Sequence, residues 1–89
     1  MRVKGVVYEH QAAAAVDTAK ALWPRLGDAV EALEWALVRD PEMGVPLIPG
    51  RPMRMVVFEG ARSIGMPTIE VIFEDATDCL TLHDLEFRK

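Results

Sequence analysis

The 89 residues predict an α+β domain, a helix hairpin packed on a mostly antiparallel four-stranded sheet in the order β-α-α-β-β-β. Three observations carry that expectation. Leu26, Val30, Leu33 and Leu37 recur at a spacing that puts them on one narrow helical face. Asp40-Pro41 then stops the helix, because the residue before a proline is pushed out of the helical region, and a Gly/Pro-rich connector follows. The chain from Met53 onward holds short runs rich in Val, Ile and Phe, bounded by turn residues.

In chain order, Arg2 to Glu9 reads as a first strand through its Val and Tyr content. Gln11 to Trp23 carries apolar residues at Ala12, Ala15, Val16, Ala19, Leu22 and Trp23, a helical stripe of small side chains that lets a neighbour approach closely. Pro24 and Gly27 punctuate a link so short that the next helix should run antiparallel to the first. Asp28 and Glu31 have the spacing of a capping box, and Arg39 puts a cation at the carbonyl end of the second helix. Glu42 to Pro52 is a constrained connector, its prolines restricting what Gly44 and Gly50 would loosen.

The run from Met53 to Phe58 has no breaker and places the second strand at Arg54–Glu59; Gly60 to Pro67 is a turn or widened hairpin loop. Thr68 to Glu74 is the third strand, with Ile69, Val71 and Phe73 on one face and Glu70, Ile72 and Glu74 on the other. Asp75 to Asp78 turns the chain into the fourth strand, Cys79 to Phe87. There Leu80 and Leu82 share a face, whereas Leu85 and Phe87 have the opposite parity, so a bulge is expected near His83-Asp84.

Composition narrows the function classes. The length suits one domain. One cysteine, Cys79, allows neither an internal disulfide nor a cysteine cage for a metal, and no cofactor is expected. No run approaches a membrane span and the amino terminus lacks signal-peptide regions, so the expected compartment is the cytoplasm. A net charge of −4 argues against broad capture of nucleic acid or an anionic membrane.

On these residues the chain resembles the RelE/ParE toxin superfamily. The family pattern is a leucine-periodic helix ending in Asp-Pro, then a Gly and a Pro-Leu step, here Leu33, Leu37, Asp40-Pro41, Gly44 and Pro46-Leu47. Ile69 to Glu74 is similar to the strand often written Tyr-Arg-Val-Ile-Tyr-Glu, and Cys79 to Lys89 to the basic closing strand. The resemblance covers nearly the whole chain. It implies a toxin-like component of a type II toxin–antitoxin system, bound by a cognate antitoxin, with ribosome-dependent mRNA cleavage in some branches and gyrase poisoning in others. Carried over by position, Arg54 and Arg88 are the candidate catalytic cations and Arg51 and Arg62 auxiliary substrate contacts. The family's third-strand arginine falls on Glu70, its penultimate histidine on Phe87, and its carboxy-terminal extension lies beyond Lys89, which points to weak or lost cleavage.

The residues also admit plainer readings. The four arginines form one phosphate patch if the strands adjoin, or are solvated surface cations. His83 and His10 suit proton transfer, but neither has a nucleophile at a recognisable spacing. Trp35 lies about 180° from the leucine stripe at about 100° per residue, and with Trp23 is the candidate partner-binding residue. The contrasting reading packs Trp35 and Val38 under the first strand. An alternative function in another class is a non-catalytic module that homodimerises through the hairpin or an exposed strand.

Overall fold

The computed structural model describes residues 5–76 and 78–88, except the side chain of Arg62. The predicted strand start at Arg2 and the substrate-contact role of the Arg62 side chain fall outside these described residues. The elements are β1 (Gly5–Tyr8), α1 (His10–Leu22), α2 (Leu26–Arg39), β2 (Val45–Pro46), β3 (Met53–Phe58), a short 3₁₀ turn at Arg62–Ile64, β4 (Thr68–Asp75) and β5 (Cys79–Arg88). They form an α+β domain whose sheet has five strands in the order β1-β5-β4-β3-β2. The chain ends its sheet where it began, with β5 parallel to β1 (Gly5 opposite Cys79, Tyr8 opposite Leu82), while the other pairings are antiparallel.

The expected count of four strands is corrected by β2. Two residues after Gly44 pair with β3, Val45 opposite Met55 and Pro46 opposite Arg54, and the Leu47 N–H donates to the Met53 carbonyl at 3.0 Å. A segment so short and carrying Pro46 has no sequence signature of a strand. It survives at the edge because proline's missing donor can face outward there.

Both helices cover one face of the sheet. Ala12, Val16 and Ala19 of α1 and Leu26, Val30, Leu33 and Leu37 of α2 are buried against Ile69, Val71 and Phe73 of β4 and Leu80, Leu82 and Leu85 of β5. Leu26, Leu37 and Phe73 are fully covered, and burying each such side chain is worth roughly 1.5–3 kcal/mol. The capping box is not formed. The helix begins at Leu26, two residues before Asp28, and the N-terminal flanking residue Arg25 makes no side-chain cap. Hydrogen bonds from Leu26 N–H to Trp23 O and from Asp28 N–H to Arg25 O wind the linker directly into the helix. Asp28 acts instead as an anion in the first turn, and Arg39 as a cation in the last, both favoured by the helix dipole.

The connector owes its path to Gly44 and Arg54. Gly44 has φ +81°, and a Cβ there would lie 2.2 Å from the Met55 carbonyl oxygen, so only glycine fits. The Arg54 guanidinium donates to three successive carbonyls, Glu42 at 2.6 Å, Met43 at 3.1 Å and Gly44 at 3.0 Å. The Asp-Pro stop, the glycine and the arginine thus form one turn, pinned to β3.

The bulge expected near His83 is present: Ile72 faces Asp84, the next β4 residue Phe73 faces Leu82, and His83 is left over. The extra residue reverses the inward parity, from Leu80 and Leu82 to Leu85.

Candidate functional site: the helix-free face of the sheet

Residues opposed across a strand pair share a face, so the register defines what the uncovered side of the sheet displays. One row across it runs Val45, Met55, Ile72 and Asp84, and a second runs Val57, Glu70 and Glu86. A third runs Met53, Glu74, Thr81 and Val7. Two stripes therefore lie side by side along the strands. Met53, Met55 and Val57, flanked by Val45 and Ile72, make an apolar stripe over β3; Glu70, Glu74, Asp84 and Glu86 make an acidic one over β4 and β5. Val45 and Val57 are about half exposed, at 56% and 46%.

The two arginines expected to act together are held apart. Arg54 opposes the buried Phe73 and so lies on the helix side, committed to the connector carbonyls. Arg88 opposes Thr68 on the free side, where it pairs with Glu70 at 2.9 Å and Glu86 at 3.2 Å. Along β4 their partners are five residues apart, roughly 17 Å at strand rise. The bulge is responsible. Without His83 as an extra residue, Arg88 would keep the parity of Leu80 and Leu82 and face the helix side. Arg51 is exposed in the connector.

The acidic stripe has an internal tension. Glu70 and Glu86 are directly opposed, and like charges in that relation repel. Arg88 relieves this from the neighbouring row with a side chain that is itself 62% exposed. His83 is held similarly. Its Nδ1 meets the Glu9 carboxylate and its Nε2 lies 3.2 Å from Glu74 Oε1, so each ring nitrogen faces a carboxylate. Those nitrogens diverge, so the two acids cannot converge with the ring on one ion, and no group that could hold a metal occurs among the described residues. His10 is exposed as the first residue of α1, and Cys79 is half-buried with its sulfur 3.9 Å from the Thr81 hydroxyl.

On the helix side, Tyr8 of β1 donates to Glu34 of α2 at 2.5 Å. Burial first, and then the Glu34 carboxylate, push the Tyr8 phenol well above its ordinary value. This hydrogen bond joins β1 to α2.

The two tryptophans part company. Trp23 tilts against Phe87 with ring centres 6.2 Å apart and lines a shallow apolar depression with Ala15, Thr18 and Leu22. Trp35 is 55% exposed on the outer side of α2, so it does not pack under β1. The acidic stripe is not among the site residues the sequence predicts. Its signal was the alternation of Glu70, Ile72 and Glu74, followed by Asp84 and Glu86 on the next strand.

No helix among the described residues is long and apolar enough to cross a membrane. No family model matches this chain, and no curated protein or solved structure does.

Proposed function

We propose that the chain is a toxin-like component of the RelE/ParE kind that works by binding a cognate antitoxin protein, with RNA cleavage weak or lost. The observation that carries this reading is the disposition of Arg54 and Arg88. Phosphoryl chemistry at RNA needs cations converging on one phosphate, near an acid and a base. Here one arginine is spent on backbone carbonyls and the other on two glutamates, on opposite faces of the sheet. Each ring nitrogen of His83 faces a carboxylate rather than a nucleophile. The binding half of the reading is supported by the element order, by two helices packed on one side of the sheet, and by exposed Trp35, Val45 and Val57.

The test is co-expression with the product of a short reading frame adjoining this one. The expected result is a complex that survives size-exclusion chromatography, while the chain alone leaves mRNA intact in a translating extract. Absence of any complex overturns the antitoxin-binding reading. Ribosome-dependent cleavage that disappears in a folded Arg88→Ala variant overturns the reading of weak or lost nuclease activity.

A further inference from the structure

The geometry points to the helix-free face of the sheet as the docking surface for a basic amphipathic helix of a partner protein, its cations confined to one flank of its apolar stripe. The inference rests on the protein-binding reading above and specifies the partner's chemistry. Sheets bury their apolar faces against a second layer, and this one has helices on one side only. On the free side the β3 stripe of Met53, Met55 and Val57, with Val45 and Ile72, is apolar, and the adjoining β4–β5 stripe carries Glu70, Glu74, Asp84 and Glu86. From β2 to β5 the row Val45, Met55, Ile72, Asp84 crosses three strand spacings, about 14 Å, so a helix about 10 Å wide covers the apolar part and overhangs the acids.

Charge selects the occupant. A second copy would bring its own acidic stripe, and nucleic acid or an anionic membrane would be repelled by the same carboxylates. A helix with apolar residues at i, i+3, i+4 and i+7 and Lys or Arg along one side matches both stripes at once. The opposed Glu70 and Glu86 are bridged, among the described residues, by the largely exposed Arg88, an arrangement an incoming cation would complete.

The probe is a synthetic peptide of about 18 residues with that pattern, compared with one in which Glu replaces every Lys. Amide chemical-shift mapping is expected to place the Lys peptide on residues 53–57, 70–74 and 84–86. Affinity should fall about tenfold in Glu70→Gln/Glu86→Gln and in Val57→Ser, each checked for an unchanged fold, and fall with added salt. Glu31→Gln, the same charge change made on the exposed side of α2, should leave it unchanged. Equal binding of the Glu peptide, shifts confined to α1 and α2, or no binding at millimolar peptide each overturn the proposal. The broader reading fails separately: if the adjoining frame's product binds but maps to the helices, antitoxin binding stands and this surface is wrong.

Discussion

Arg54 shows how one residue type can be legible as a cation and illegible as a role. Its three carbonyl acceptors make it the fastener of the Asp40-Pro41-Gly44 turn. Two of these charge-assisted bonds are exposed and one is part-buried, so losing them costs about 1 kcal/mol, and Arg54→Ala should lower the melting temperature by roughly 5 °C. Arg54→Lys should recover little, since a point ammonium cannot reach three carbonyls as a planar fork does. Differential scanning calorimetry checks this, and an unchanged Arg54→Ala midpoint would show the fork to be dispensable. It follows that lost activity in Arg54→Ala says nothing of phosphate contact unless the variant is shown to be folded. Tyr8 makes a second residue-scale prediction. Its phenol is raised in the folded state by burial and by Glu34, so its contribution is fully present below the ordinary phenol value of 10.0 and is lost as pH rises above it. Denaturant midpoints should therefore fall with alkaline pH in the native chain, and less steeply in Tyr8→Phe. Parallel slopes would remove Tyr8 from the account.

At the scale of elements, α2 separates what holds the fold from what is offered to solvent. Leu37 is fully buried and Trp35, two residues earlier, is 55% exposed. Leu37→Ala should cost about 3 kcal/mol through lost burial and the cavity it leaves, whereas Trp35→Ala should stay within about 0.5 kcal/mol. Urea unfolding of the two variants tests the contrast, and a large loss in Trp35→Ala would place that ring in the core after all. The same helix shows why its body was readable and its start was not. Four apolar residues at a 3.6-residue period outweigh local noise, but where the first turn closes depends on how Trp23 and Arg25 accept the Leu26 and Asp28 N–H groups. In β5 the parity change between Leu82 and Leu85 betrayed the bulge. The face of Arg88 follows from that parity, whereas the face of Arg54 was hidden, because β3 is apolar at both parities and does not itself say which side meets the helices. β2 was illegible for the opposite reason, since two residues with a proline carry no periodicity at all.

For the whole molecule, the layers and the net charge act together. The helices spend most of the buried apolar surface on one face, leaving the other with an apolar stripe whose neighbours are carboxylates. Near pH 7 the net charge of −4 and the acids beside that stripe should oppose the approach of a second copy. The sequence isoelectric point is about 5.0, so acidification toward that value removes the repulsion while leaving Met55, Val57 and Ile72 in place. Sedimentation velocity at low salt should accordingly show a monomer near neutral pH and growing self-association as the pH approaches 5. Val57→Glu should suppress that association, because it sets a carboxylate in the middle of the β3 stripe, directly opposite Glu70. Trp35→Ala should not, since Trp35 lies on α2 and outside the sheet face. Association at neutral pH, or acid association that persists in Val57→Glu and vanishes in Trp35→Ala, would move the cohesive surface from the sheet to the helices.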